Sequence, residues 1–547
     1  MKTGFYEKYI QSAESGNAVW LGDLRASAAS VPGAERLVLR LTDCSGAKED
    51  FPLFLPPWQG NREREFALSL LSAVMFNLLS ARGGRELQIY FHKDNTALSV
   101  LVGELENVFQ LRQNVRRGYG KAVNVSNRIS AALGCTPFSV TKKDIGQYRP
   151  LHRKKESAPS VMLCEKLRAA AEEAENSFCC GMDVGGTDVK LAVSRGGRLL
   201  LTREFDWNPA QSPTADGLID PLIKLLDEAL DACGGGAFDA IGLSFPDVVI
   251  RDRILGGETP KTRGLRENPA LDYEREFSRL GGLYEQMLSR CVSGGRVRIT
   301  NDGNMAAFSA AMELSCGGEN GLEGGVLAHT LGTDLGSGWL LPNGMVPELP
   351  LEMYDFLVDL GSFPQRRYAP FDLRSVCNEN SGLPGARRYL GQAACYRIAW
   401  ELKPSLLDGF TEESGGLLQI QSLPRDLRKP CLEHLMALAE EGVPEAEEIF
   451  LRIGRHLAYV NREMDFILYP GTQTRYLYGR FVKRARCFAL IREGCAEIMP
   501  SLQLVAADEN LACSPLMRQL AQRPGVTVAQ FGQAVGAIYF AQMEKRT

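Results

Sequence analysis

The sequence predicts an α/β protein built from more than one domain. Three observations carry that reading. At 547 residues the chain is too long for a single hydrophobic core. From residue 176 onward, short apolar strand-like runs alternate with runs of helical period. Finally, the strand–glycine–strand passage GMDVGGTDVKLAV (181–193) has a counterpart in GVLAHTLGTDLGSGWLL (325–341).

Composition narrows the class. Apolar residues make up 45% and charged residues 23%, ordinary values for a globular protein, and a net charge of -4 argues against wholesale nucleic-acid binding. Fourteen cysteines without a C-x-x-C pair read as reduced, mostly buried thiols of a cytoplasmic protein. Five histidines leave little for imidazole clusters, so no structural zinc is expected. The start MKTGFYEKYIQSAESGN lacks the apolar core of a secretory signal. The most apolar run, Phe66 to Ala81, spans 16 residues and holds three serines and an asparagine; it reads as a buried helix, and no membrane partner is expected.

Residues 1–155 form the first expected domain, a separate α/β unit of unassigned role. ERLVLRLTD and ELQIYFH are its strands, with the Phe66–Ala81 helix between them and a helix, or a strand passing into one, over 98–115. GQYRPLHRKKESAPS follows as a polar connector, its basic run His152 to Lys155 read as solvated linker. VMLCEKLRAAAEEAEN is a helix. FCCGMDV, VKLAVS and RLLLTREF then form an antiparallel meander. An amphipathic helix over 217–236 precedes the strand FDAIGLSF, and RVRITND is a strand ending on a carboxylate before the helix GNMAAFSAAMELS. Helices over 384–402 and 430–462, a strand MDFILYPG and a closing helix QFGQAVGAIYFAQM complete the reading.

The chemistry concentrates in the two glycine passages and in TNDGN. Glycines permit backbone angles and close approaches that a side chain forbids, and exposed amides in such turns can donate to phosphate oxygens. Thr187 and Thr333 add hydroxyl donors. Asp302 ends a strand just before a helix. It fits either a helix N-cap or a base that takes a proton from a substrate hydroxyl. Asn301 and Asn304 can orient a polyhydroxyl ligand or the aspartate. Asp183 fits either a turn carboxylate or the partner of a divalent cation at the phosphates. Lys190 either answers an acidic neighbour or projects from its strand.

Taken together, DVGGTDVK, the Gly242 to Pro246 segment of GLSFPD, NDGN and LGTDLGSG resemble the ROK family of sugar kinases and sugar-responsive repressors, within the actin-like ATPase superfamily. The resemblance covers residues 176–547 and is nearest in motif style to polyphosphate/ATP glucokinases. It implies a two-lobed, ribonuclease H-like fold, with lobes at 176–300 and 301–527 and the closing helix 528–544 packing back on the first. It also implies ATP- and magnesium-dependent phosphorylation of a hexose or amino-sugar hydroxyl. Asp302 would be the general base and Asp183 would act through magnesium. Gly185, Gly186, Thr187, Lys190, Gly332, Thr333, Gly336, Gly338 and Gly471 would contact the nucleotide and its phosphates. Asn301, Asp302 and either Glu348 or Glu352 would bind the sugar. A homodimer without nucleic acid is expected. The alternative is a catalytically weak or inactive sugar- or nucleotide-binding regulatory protein. Three departures stand out: Asp334 replaces a glycine, PELPLEMYDF replaces G-E-x-G-H, and Gly471-Thr472 replaces a glycine pair.

Overall fold

The computed structural model describes residues 4–110, 133–135, 138–151, 160–255, 262–318, 322–332, 335–362, 385–411, 423 and 425–543. Thr333 and Asp334 lie outside the described residues, as does the His152 to Lys155 run. Contacts group the chain into two compact units. Unit 1 is Met1–Lys155 with Pro350–Tyr469 and Ala489–Pro500, and unit 2 is Glu156–Leu349 with Pro470–Phe488 and Ser501–Thr547.

This grouping departs from the expected boundaries at 155, 300 and 527. The N-terminal region is not separate; it shares a unit with residues 350–469. Its sheet runs β2-β1-β3-β4, where β1 is Glu35–Thr42, β2 Lys48–Leu55, β3 Glu86–Phe91 and β4 Ser139–Asp144. Strand β2 comes from FPLFLPPW, which proline disguises as loop. Pro52 is tolerated because β2 is an edge strand. The apolar run lies in helix α1 (Gly60–Arg82). By length and composition α1 could cross a membrane, yet 72% of its apolar window is buried inside the fold. Its buried Asn77 explains the wider unit: the side-chain amide accepts from Leu357 N at 2.7 Å and donates to Leu357 O at 3.1 Å. Arg82 Nε likewise donates to Ile467 O at 2.8 Å, tying α1 to the helix Pro444–Leu468. That helix absorbs MDFIL, so the expected strand there is the helix's last turn. Cys44 and Cys135 form a disulfide with Cα atoms 5.7 Å apart, a correction to the expectation of reduced thiols throughout.

Unit 2 holds two sheets. The first runs β11-β8-β5-β6-β7: β5 is Phe178–Val184, β6 Asp188–Arg195, β7 Arg198–Asp206, β8 Phe238–Phe245 and β11 Cys291–Asn301. The short hairpin of β9 (Val249–Ile250) and β10 (Arg253–Ile254) lies between β8 and β11 in the chain. Strands β5, β6 and β7 form the expected antiparallel meander, whereas β5, β8 and β11 are parallel. The second sheet runs β13-β12-β14-β15, with β12 Val326–Leu331, β13 Leu335–Leu340, β14 Thr474–Gly479 and β15 Gln503–Ala506. It repeats the plan of the first: an antiparallel glycine hairpin, then two parallel strands. This mixed α/β plan is consistent with the expected actin-like architecture. Strands β14 and β15, of six and four residues, carry no strand expectation from the sequence.

Four helices complete this frame: α2 (Ser160–Glu175), α3 (Asp216–Ala232), α4 (Asp302–Cys316) and α5 (Val528–Gln542). Alternation on the first sheet sends Cys180, Met182, Leu191 and Leu243 to the core shared with α3, and Cys179, Ala192 and Ala240 to the core shared with α2, α4 and α5. The closing helix packs closely because glycine permits it. A Cβ on Gly181 would overlap Ala534 O, and one on Gly242 would overlap Ala537 O.

Candidate active site

A polar row crosses the first sheet. Glu204, Lys190, Asp183, Ser244 and Thr300 are register partners on β7, β6, β5, β8 and β11. Register partners share a face, and alternation places this row on the α5 side. Asp183, Ser244 and Thr300 each stand one residue before the carboxyl end of a parallel strand, where open α/β sheets place their ligands. Polar residues inside such a sheet cost free energy unless partnered, so their concentration in one row marks a built site.

Asp183 is the centre of the row. Its Oδ1 accepts from the buried Ser244 hydroxyl at 2.7 Å. Burial pushes its carboxyl up to about 6; the charge of Lys190 and the Ser244 hydrogen bond oppose this, and the charges of Asp302 and Asp188 add to it. Lys190 pairs with Asp188. Burial pulls its ammonium pKa down, but Asp183, Asp188 and Glu204 outweigh burial and hold it above its ordinary value. Lys190 therefore answers acidic neighbours rather than projecting from the sheet.

Asp302 follows the end of β11 and opens α4. The helix cap is Asn301, whose Oδ1 accepts from Gly303 N at 2.9 Å while its Nδ2 donates to Asp247 O at 2.9 Å. Asp302 Oδ1 also accepts from Gly303 N, and its side chain is part-exposed. A Cβ on Gly336 would stand 3.8 Å from Asp302 Oδ1. The second glycine passage approaches Asp302 at Gly336, while the first acts on it through the charge of Asp183.

Several expected ligand groups are committed to the fold. Gly185 N donates to Asp188 O at 2.8 Å, and Gly185 O accepts from Trp207 Nε1 at 2.9 Å, so this amide is used inside the turn. Gly186 is half-buried, and Thr187 is exposed with Oγ1 donating to Asp188 Oδ2 at 3.1 Å. In the second passage Gly332 has open space around it. Gly338 instead packs: a Cβ there would overlap the Gly303 backbone, so this glycine brings β13 onto the first turn of α4. Asn304 is buried and accepts from Trp339 N at 3.1 Å.

Gly471 lies away from the second glycine turn. It precedes β14 and packs against Gly324, 2.9 Å from Gly324 Cα by its would-be Cβ. Because β12 and β14 are parallel, that is the end opposite the glycine turn. Gly479 stands at the turn end of β14, paired with Leu331, with φ 102°. Of the two candidate sugar carboxylates, Glu348 shares unit 2 with Asp302 and pairs with Arg251 at 2.8 and 2.9 Å. Glu352 belongs to unit 1, where it is buried and accepts from Tyr354 OH at 2.8 Å.

A divalent cation fits the row. Asp188 and Asp302 each act on Asp183, with Lys190 as the countercharge, and Asp183 Oδ2 accepts no hydrogen bond among the described residues. Among those residues no three His, Cys, Asp or Glu groups converge as a metal cage. The one Asp183 oxygen left over matches the way magnesium keeps waters and uses one or two carboxylates with phosphate oxygens.

Comparison with known proteins finds no matching family and no matching curated protein. Solved structures do match at low similarity. A ROK family glucokinase from Streptomyces griseus, in complex with glucose and AMPPNP, is 19% identical with TM-score 0.43, over 67% of this chain and 100% of that one. A ROK hexokinase from Thermus thermophilus is 20% identical with TM-score 0.38, over 68% and 100%. A ROK family transcriptional regulator, a homolog of the E. coli MLC protein, is 12% identical with TM-score 0.41, over 81% and 98%. At such values the likenesses leave function to the residues themselves.

Proposed function

We propose that the chain is a carbohydrate kinase that uses ATP and magnesium to phosphorylate a sugar hydroxyl, with Asp302 as general base. The observation that carries this reading is the position of the Asp302 carboxylate. It stands beside Gly336, within the field of Asp183, in a helix that Asn301 already caps. In this reading Asp302 accepts the proton of the attacking hydroxyl. The half-buried Gly186 and open Gly332 let phosphates approach the backbone. Lys190 balances the carboxylates of the row. Magnesium, when bound with the nucleotide, would be held by Asp183 and would neutralise charge on the transferring phosphoryl group. Glu348, which shares a unit with Asp302, is the better candidate for the sugar and would have to exchange its Arg251 pairing for the ligand.

A second reading is supported by specific observations. The amide of Gly185, the close packing of Gly338 and the pairing of Glu348 with Arg251 all commit expected ligand groups to the fold. A sugar- or nucleotide-binding regulator needs to bind its ligand but not to turn it over.

A coupled ADP-release screen across hexoses and amino sugars separates the two, run with the parent protein and with Asp302→Asn. Sugar-dependent ADP release that disappears in Asp302→Asn supports the kinase. Nucleotide binding without sugar-dependent release, in folded protein, selects the regulator.

A further inference from the structure

Ser244 was assigned no role by the motifs, yet it is fully buried in the polar row, one residue from the carboxyl end of β8. The other residues on its face of β8 are Ala240 and Gly242, small residues that let α5 approach. A hydroxyl in such a position costs free energy unless it is satisfied. It donates to Asp183 Oδ1 at 2.7 Å, across the register pair that joins β5 and β8. The bond spends one carboxylate oxygen and leaves Oδ2 without a hydrogen bond among the described residues. Lys190, the other close partner, pairs with Asp188 rather than Asp183. Among the described residues, the Ser244 hydroxyl thus makes the one hydrogen bond that fixes the rotation of the Asp183 carboxylate.

We propose that Ser244 is a positioning residue: it holds Asp183 by Oδ1 so that Oδ2 is presented to a divalent cation or its bound waters. The inference rests on the kinase reading above for the presence of that cation. Outer partners of a ligating carboxylate typically change metal affinity by roughly 10- to 100-fold when lost. A serine serving only to fill the strand would change stability and leave cation binding alone.

The test uses the full chain as the parent protein, Ser244→Ala and Ser244→Thr, with circular dichroism to establish folding. Mn2+ is titrated in the presence of AMPPNP and followed by electron paramagnetic resonance. Ser244→Ala should weaken Mn2+ binding by roughly 10- to 100-fold. Ser244→Thr, which keeps the hydroxyl, should bind within about threefold of the parent, well inside that range. Ser244→Gly, which also lacks the hydroxyl, serves the same comparison should alanine fail to fold. Parental Mn2+ affinity in folded Ser244→Ala or Ser244→Gly overturns the proposal while leaving the kinase reading intact. A parent protein that binds no Mn2+ with AMPPNP overturns both.

Discussion

Asn301 caps the helix that Asp302 begins, its Oδ1 accepting from Gly303 N at 2.9 Å. The cap and the candidate base are therefore different residues, and they can be separated by mutation. Asp302→Asn keeps the cap and the side-chain volume. Turnover should fall by roughly 10²- to 10⁴-fold, the usual contribution of a positioned acid–base group. Unfolding free energy should stay within about 0.5 kcal/mol of the parent, as for substitutions that break no packing. Urea melts beside single-substrate kinetics check both; a large stability loss would return Asp302 to the role of cap.

Asp183 gives the fold a pH dependence of known sign. Its folded pKa, about 6, lies above the ordinary 3.8, so the folded state holds the proton longer than the unfolded chain. Its contribution to stability is complete below about pH 3.8, fades as pH rises, and is lost above about 6. Asp183→Asn removes this titration. It should be about 1–3 kcal/mol more stable than the parent at pH 7 and nearly equal at pH 4, while losing divalent-dependent nucleotide binding. Urea melts without divalent cations across that range would show the two curves diverging. Parallel curves would show that Asp183 titrates normally.

Gly242 should not tolerate alanine. The added Cβ would run into the carbonyl oxygen of Ala537, which is backbone, so trimming the side chain at 537 offers no relief. Gly242→Ala should lose about 1–3 kcal/mol, typical of overpacking in a dense core. Denaturant unfolding of Gly242→Ala with and without Ala537→Gly checks this. Rescue by the second change would show that the contact is not with the main chain.

His456 should make unit 1 acid-sensitive. Burial, opposed by the contact of its Nδ1 with Tyr389 O, lowers its pKa from 6.5 to about 4. A folded pKa below the unfolded value means the stabilising neutral form is fully present above pH 6.5 and lost as pH falls toward 4. The loss is about 2–3 kcal/mol over that window, and His456→Gln should flatten it. Trp20 reports on it directly, since its ring centroid lies 5.6 Å from that of His456. An unchanged acid limb in His456→Gln would remove His456 as its source.

The site was legible where it depends on local geometry. Glycine pairs between strands, and a carboxylate between a strand and a helix, have few local conformations, so DVGGTDVK and TND read as a hairpin turn and a strand–helix junction. Ser244 was not legible, because a serine within FDAIGLSF acquires meaning only from the strand beside it. The place of Gly471 was not legible for the same reason. One glycine near a strand does not say which end of a sheet it occupies, and the parallel pairing of β12 with β14 decides that.

By itself the sequence determined the α/β class, the two glycine hairpins, the helix that begins at Asp302 and the small-residue closing helix, because each is set by periodicity, capping or turn chemistry within a few residues. Only the tertiary structure decided that residues 350–469 share a unit with the N-terminal region, that Asn301 rather than Asp302 is the cap, and that Lys190, Asp183, Ser244 and Thr300 form one row. Those outcomes depend on strand register and on contacts between residues far apart in the chain. Neighbouring residues do not encode them; the burial of apolar faces against distant partners does.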